Sequence, residues 1–165
     1  MNNIILAGMP LCGKTTISVE LGKLMGAEVV DTDAEIVKKY GCISDIFEEY
    51  GEKHFRLLEK EVVKEVCNLE NTVISTGGGC LTDKENADEL KKSGVVVYLR
   101  VGFETLVLRA RGDGTRPLLA GDAEKKLKAL MNDRTPVYER VADFTIDCDG
   151  LSPEETAKAI SELIT

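Results

Sequence analysis

One segment near the N-terminus has the residue types of a phosphate-binding loop. Residues 8–15 read GMPLCGKT and match the pattern G-x-x-x-x-G-K-[S/T]. In such a loop the backbone N–H groups point at phosphate oxygens, and the helix that follows adds positive potential at its N-terminus. A chain of this composition would contain on the order of 0.01 such matches by chance. We therefore predict that Lys14 reaches the terminal phosphates of a nucleotide and that the Thr15 hydroxyl binds Mg²⁺.

Two carboxylates follow a short apolar pair. Val29 and Val30 predict a strand, and Asp31 and Asp33 come directly after it. Because residues i and i+2 of a strand face the same side, both carboxylates are predicted to point into one site. One of them would hold Mg²⁺ through water, and the other would accept a proton from a hydroxyl group. The alternative is that Asp33 caps a helix beginning at Ala34, since Asp is a favourable N-cap residue.

A run of three glycines, Gly77-Gly78-Gly79, follows a predicted strand over 72–76. Glycines after a strand let a ligand approach the backbone closely, although the same run also fits a plain flexible turn. No acidic residue ends this strand. Asp31 is therefore the available candidate for the acid that such nucleotide-binding sites place beside Mg²⁺.

The elements that must position these segments alternate between strands and helices. Apolar runs predict five strands, at 4–7, 29–30, 72–76, 95–101 and 144–146. Helical spacing predicts helices after the phosphate-binding loop and over 53–67, and capping-box spacing predicts two more helix starts, at Thr82 and Ser152. This alternation indicates an α/β fold with a parallel sheet. Ligands of such sheets bind beyond the carboxyl ends of the strands, where all three segments are expected to meet.

Composition limits the class of protein. The chain has 165 residues, enough for one domain with a buried core, and its 21 basic and 29 acidic residues give a net charge of −8. This acidity disfavours binding to nucleic acid or to an anionic membrane surface, and no apolar run approaches the roughly 18 residues of a membrane span. The five cysteines are odd in number and lack disulfide or metal-site spacing. We expect free thiols in a cytoplasmic protein, and a monomer because no long apolar seam is evident.

Three arginines lie in segments that could face a cleft. Arg56 lies in a predicted helix, Arg116 lies in a glycine-rich stretch over 111–122 that predicts a mobile loop, and Arg134 lies in the segment RTPVY. A planar guanidinium binds carboxylate or phosphate through two parallel hydrogen bonds. These arginines are therefore candidates for binding an anionic substrate or the transferring phosphoryl group, while a surface ion pair is the alternative for each.

Taken in order along the chain, these segments resemble the shikimate kinase family over essentially its whole length. The matching segments are the phosphate-binding loop, Asp31-Thr32-Asp33, GExxFRxxE at 51–59, TGGG at 76–79, RPL at 116–118 and RxPxY at 134–138. The resemblance implies a three-layer P-loop NTPase fold like that of nucleoside monophosphate kinases, with a five-stranded parallel sheet. It also implies a single domain over 1–165, with a helical substrate-binding segment at about 32–61 and a lid at about 110–122.

The resemblance further implies ATP-dependent phosphorylation of the 3-hydroxyl of shikimate, within aromatic amino-acid biosynthesis. It assigns catalysis to Asp33, Lys14 and Arg116, with Asp33 orienting and deprotonating the hydroxyl. The residues that it implies for ATP are Gly8, Leu11, Cys12, Gly13, Lys14, Thr15, Thr16, Arg109 and Arg116. The residues that it implies for shikimate are Asp33, Arg56, Gly77, Gly78, Gly79 and Arg134, and those for Mg²⁺ are Thr15 and Asp31.

Two positions depart from the family pattern. Leu11 stands where the family often has another loop glycine, so a stiffer loop is expected, and residues 147–150 read DCDG where many members carry a basic residue near adenine.

Two other functions fit the motifs. One is a kinase for another small hydroxyl acceptor, such as gluconate or a nucleoside monophosphate. The other is a nucleotide-sensing module without catalysis, although such a module needs no acceptor site like that of Asp33, Arg56 and Arg134.

Overall fold

The computed structural model describes residues 2–112 and 122–165, which form a five-stranded sheet packed against helices. The strands are β1 (Asn3–Ala7), β2 (Glu28–Asp31), β3 (Thr72–Ser75), β4 (Gly94–Arg100) and β5 (Phe144–Asp147). Their order across the sheet is β2-β3-β1-β4-β5, and every neighbouring pair is parallel. The predicted α/β class, the five strands and their parallel arrangement are confirmed.

Eight helices accompany the sheet within the described residues. They are α1 (Lys14–Met25), α2 (Thr32–Tyr40), α3 (Ile43–Tyr50), α4 (Glu52–Cys67), α5 (Lys84–Ser93), α6 (Phe103–Gly112), α7 (Asp122–Val141) and α8 (Pro153–Ile164). None of these helices is both long enough and apolar enough to cross a bilayer.

The core is centred on β1, whose five residues are all buried. Ile5 pairs with Ile74 of β3 on one side and with Val96 of β4 on the other, so the central strand lies between two further apolar strands. Strands buried on both faces consist of continuous apolar runs, which is why β1, β3 and β4 could be identified from the sequence. The edge strand β2 is only partly buried.

The connections after β1 and β3 run in opposite directions across the sheet. From β1 the chain passes through α1 to β2, whereas from β3 it passes through α5 to β4 on the far side of β1. Such a reversal opens a crevice at the carboxyl ends of the two strands. The phosphate-binding loop follows β1 and the run Gly77–Gly79, called the glycine run below, follows β3. The fold therefore brings both segments to one crevice.

Helix termini agree with the sequence in one place and differ in others. Ser152 and Glu155 form the predicted capping box at the start of α8. The predicted cap at Thr82 is wrong. Asp83 caps α5 instead, and its side chain accepts hydrogen bonds from the backbone N–H groups of Glu85 and Asn86. The predicted loop over 111–122 is also too long, since α6 continues through Gly112 and α7 begins at Asp122.

Candidate active site

The lysine of the phosphate-binding loop, Lys14, bonds back to the backbone of the same loop. The Nζ of Lys14 donates hydrogen bonds to the carbonyl oxygen of Gly8 at 2.6 Å and to that of Met9 at 3.3 Å, and lies 3.8 Å from Cys12 Sγ. Lys14 is also the first residue of α1, so its ammonium group adds to the positive potential at that helix N-terminus. This combination provides a site for anionic phosphate oxygens.

Leu11 adopts a backbone conformation that glycine usually occupies. Its φ angle is 69°, in the left-handed region, which costs a residue with a Cβ about 1–2 kcal/mol. The guanidinium of Arg109 donates a hydrogen bond to the Leu11 carbonyl oxygen at 2.8 Å, which holds this turn from outside the loop. The departure from the family pattern at this position is therefore accommodated by a strained backbone and a contact from α6.

A pocket opens beside the phosphate-binding loop. Five residues that the sequence predicted for ATP line it: Leu11, Cys12, Gly13, Thr16 and Arg109. Its other lining residues were not predicted and are Ile17, Cys148, Leu151, Pro153 and Thr156. The segment after β5 thus supplies mainly apolar side chains in the region where many family members carry a basic residue, and an apolar wall suits the flat face of a nucleotide base.

The arrangement of Asp31 and Asp33 differs from the prediction. β2 ends at Asp31 and α2 begins at Thr32, so Asp33 lies in the first turn of a helix and the two carboxylates do not share one strand face. The alternative, in which Asp33 is the N-cap, is also wrong. Asp31 is the cap, and its Oδ1 accepts a hydrogen bond from the N–H of Ala34 at 2.9 Å.

Each glycine of the glycine run faces a different charged side chain. A Cβ added at these positions would lie 2.6 Å from a charged atom in every case: Asp33 Oδ1 at Gly77, Arg134 Nη1 at Gly78 and Arg56 Nη2 at Gly79. The absence of a Cβ therefore lets these charged groups approach the backbone closely, which the alternative of a plain flexible turn does not explain. Three charged groups from α2, α4 and α7 converge on one backbone segment.

The half-buried carboxylate of Asp33 lies among opposing charges. Burial and, to a smaller extent, the negative charge of Asp31 raise the pKa of Asp33, while Lys14 and Arg56 act to lower it. The phosphate-binding loop and the arginine of α4 are thus both within electrostatic reach of this carboxylate. A carboxylate whose pKa is raised is a stronger proton acceptor than an ordinary one.

Arg56 is oriented by a buried acid on its own helix. Its Nη1 donates a hydrogen bond to Glu59 Oε1 at 2.9 Å, and Glu59 is 1% exposed. Glu52 lies 3.6 Å from the other terminal nitrogen. Glu59 was not predicted as a site residue, although its spacing of three residues from Arg56 is the spacing at which helical side chains meet.

Tyr138 connects the two loops of the crevice. Its hydroxyl lies 2.6 Å from the carbonyl oxygen of Gly78 and 3.1 Å from that of Gly8, and Arg134 faces the same glycine, Gly78. The ring is 1% exposed and packs against Tyr98, with centroids 5.1 Å apart. Sequence reasoning did not assign Tyr138 a role, because the contacts come from residues far away in the chain.

The remaining predicted residues are placed as follows. Thr15 and Thr16 are exposed at the start of α1, and Asp31 is half-buried at the end of β2. Arg116, with most of the predicted lid, lies outside the described residues.

Comparison with known proteins agrees with this geometry. Residues 10–165 match the family model described as shikimate kinase. A curated shikimate kinase from Caldicellulosiruptor saccharolyticus is 46% identical over 97% of this chain and 94% of its own length.

Solved structures give the same result. The shikimate kinase from Acinetobacter baumannii in complex with shikimate superposes with a TM-score of 0.92 at 39% identity, over 99% of this chain and 93% of that chain. A deoxyadenosine kinase from M. mycoides, 20% identical over 98% of both chains, superposes with a TM-score of 0.68 and so shares the fold alone. The chain belongs to the shikimate kinase family.

Proposed function

We propose that the chain transfers the γ-phosphoryl group of ATP to the 3-hydroxyl of shikimate, giving shikimate 3-phosphate and ADP in aromatic amino-acid biosynthesis. The observation that carries this proposal is the convergence of Asp33, Arg56 and Arg134 on the glycine run, beside the phosphate-binding loop. Two guanidinium groups suit the carboxylate of a small acid, and one carboxylate suits its hydroxyl. The related Acinetobacter baumannii enzyme was solved in complex with shikimate, which supports this choice of acceptor.

The site residues divide the reaction between them. Arg56 and Arg134 bind the shikimate carboxylate, which leaves the 3-hydroxyl beside Asp33. The Asp33 carboxylate accepts the hydroxyl proton while the hydroxyl oxygen bonds to the γ-phosphorus, and the bond from that phosphorus to the β–γ bridging oxygen breaks to release ADP. Lys14 neutralises charge on the phosphate oxygens, and the pocket beside the loop holds adenine. Catalysis of this kind depends on alignment and charge neutralisation more than on covalent chemistry with the protein.

The residues near the loop also fit Mg²⁺. No group of three or more His, Cys, Asp or Glu side chains in the described part of the chain could enclose a metal ion. Mg²⁺ commonly binds through one or two protein oxygens together with water and substrate phosphates. The Thr15 hydroxyl and Asp31, whose Oδ1 caps α2, are oxygen donors of this type. Bound there, Mg²⁺ would withdraw negative charge from the phosphate oxygens.

A coupled assay of ADP release, with and without shikimate, tests the proposal. We expect release that depends on shikimate and on Mg²⁺, with gluconate and nucleoside monophosphates as the comparison acceptors. Faster turnover of another acceptor would reassign the substrate. Nucleotide binding without turnover of any acceptor would identify a sensing module instead.

We also propose that the protein acts in the cytoplasm as a monomer. The free state of all five cysteines is compatible with a reducing compartment. Light scattering coupled to gel filtration tests the oligomeric state, and a mass of twice the chain or more would contradict it.

A further inference from the structure

We propose that Tyr138 is a positioning residue that joins the phosphate-binding loop to the glycine run and thereby links ATP binding to shikimate binding. This inference rests on the proposed function, since it concerns how that site is assembled. Tyr138 touches neither reacting group in the mechanism above. Its hydroxyl instead contacts the backbone of both loops, and one of these contacts is at Gly78, the glycine that Arg134 faces.

The Tyr138 hydroxyl lies within hydrogen-bond distance of both loops. Its single proton is directed mainly at the carbonyl oxygen of Gly78, at 2.6 Å, and is shared with that of Gly8 at 3.1 Å. Arg134, one helical turn before Tyr138 on the same helix, faces this same glycine. One hydroxyl thus fixes the spacing between the two loops, at the glycine that Arg134 also faces.

The contact at Gly8 extends to the lysine of the phosphate-binding loop. The Gly8 carbonyl oxygen accepts hydrogen bonds from both Lys14 Nζ, at 2.6 Å, and Tyr138. A continuous path of hydrogen bonds therefore runs from Lys14 through Gly8 and Tyr138 to Gly78. Any movement of Lys14 toward phosphate changes the environment of a carbonyl that Tyr138 also contacts.

Tyr138 is also held by contacts in the core. The side chain is 1% exposed, stacks on Tyr98, and lies one helical turn after Arg134 on α7. The Gly78 carbonyl oxygen has no other hydrogen-bond donor among the described residues. Loss of the hydroxyl would therefore leave that carbonyl without a protein partner and would loosen the backbone at Gly78 that Arg134 faces.

The test compares Tyr138→Phe with the matched control Tyr98→Phe. Both substitutions remove one buried hydroxyl from the same aromatic pair and keep the ring, but the Tyr98 hydroxyl bonds to neither loop in the described structure. We expect Tyr138→Phe to raise KM for shikimate about 3- to 10-fold, the loss expected for one hydrogen bond of this kind, with a smaller change in kcat. Tyr98→Phe should keep the wild-type KM, and shikimate should increase affinity for ADP less in Tyr138→Phe than in wild type.

A second measurement uses the unmodified protein and does not depend on how the variant folds. Hydrogen–deuterium exchange on wild-type protein, with ADP alone, should show slower exchange in peptides that contain residues 77–79. Absence of that protection, or a Tyr138→Phe variant with wild-type KM and wild-type coupling, would overturn the role of Tyr138. Failure of wild-type protein to release ADP in response to shikimate would overturn the proposed function instead, so the two failures are distinguishable.

Discussion

The carboxylate of Asp33 packs against the backbone of Gly77 so closely that a Cβ at that glycine would lie 2.6 Å from Oδ1. The next residue, Gly78, has the same relationship with the guanidinium of Arg134. Two adjacent glycines therefore each leave room for a different charged group: the Asp33 carboxylate at Gly77 and the Arg134 guanidinium at Gly78. A single methyl group at either position must displace its neighbour, because real Cβ contacts are not that short.

Alanine at these two glycines should give two different kinetic defects. Gly77→Ala displaces the proton acceptor, and a misplacement of about 1 Å can cost on the order of 100-fold in rate, so we expect the loss mainly in kcat. Gly78→Ala displaces Arg134, so we expect the loss mainly in KM for shikimate. Steady-state kinetics on both variants makes this comparison, with each variant as the other's control. Identical defects in the two variants would contradict the assignment.

Asp33→Asn should nearly abolish turnover while it raises thermal stability. Burial raises the pKa of Asp33 above its value in the unfolded chain, so the charged carboxylate destabilises the fold at neutral pH and the protein gains stability as pH falls through that pKa. The neutral amide removes this cost. For a chain of this size, each gain of about 1 kcal/mol in the free energy of unfolding would raise Tm by about 2–4 °C.

Calorimetry and the ADP-release assay check both parts of that prediction. ATP binding should persist, because Asp33 is not part of the phosphate-binding loop. Turnover close to that of wild type would remove Asp33 from its role, and a lower Tm at neutral pH would contradict the electrostatic argument.

The phosphate-binding loop, the Asp31–Asp33 segment and the glycine run could be predicted to lie at one edge of the sheet. That prediction depends only on the order and direction of the strands that they follow. Apolar runs identify the buried strands, and parallel strands present their carboxyl ends at one edge. The exact end of a strand is not contained in such a pattern. Val30 and Asp31 both belong to β2, and the turn into α2 that moves Asp33 onto a helix is set by the cap at Asp31.

The residues that support the site could not be found in this way. Tyr138 bonds to Gly8 across 130 positions of the sequence, and no local pattern reports such a contact. α7 also carries Pro136 in its interior, where local rules predict a break, so the helix that positions Arg134 is longer than its sequence indicates. Tertiary contacts of the helix, including the burial of Tyr138, outweigh the local preference.

Arg56→Lys should weaken shikimate binding with little loss of stability. Lysine keeps a positive charge beside the buried Glu59 but lacks the planar fork that binds a carboxylate through two hydrogen bonds. Loss of a hydrogen bond to a charged group corresponds to about 10- to 100-fold in KM. Arg56→Ala serves as the comparison, because it leaves Glu59 buried without its partner and should lower Tm more. An unchanged KM for shikimate in Arg56→Lys would place the carboxylate elsewhere.

Arg116→Ala should reduce kcat and leave shikimate binding nearly unchanged. From the family resemblance we expect this arginine to act on the ATP phosphates, where an arginine that stabilises the transferring phosphoryl group contributes about 10³-fold or more. Arg140→Ala, an exposed arginine on α7, is the control. A defect confined to KM for shikimate would assign Arg116 to the acceptor instead.

Asp31→Asn should move the acidic limb of the pH–rate profile to lower pH. Asp33 must be deprotonated to accept the hydroxyl proton, so activity falls as pH drops through its pKa, which burial and then the charge of Asp31 raise above the ordinary value. Asparagine caps a helix as well as aspartate does, so the substitution removes the charge and keeps the start of α2. The midpoint of kcat/KM against pH reports this shift even if the loss of Asp31 also lowers the maximum rate.

The control for this prediction is Asp45→Asn, which removes an exposed acid from the first turn of α3 and should leave the midpoint unchanged. An equal shift in both variants would show that the net charge of the protein, rather than the neighbouring carboxylate, sets the midpoint.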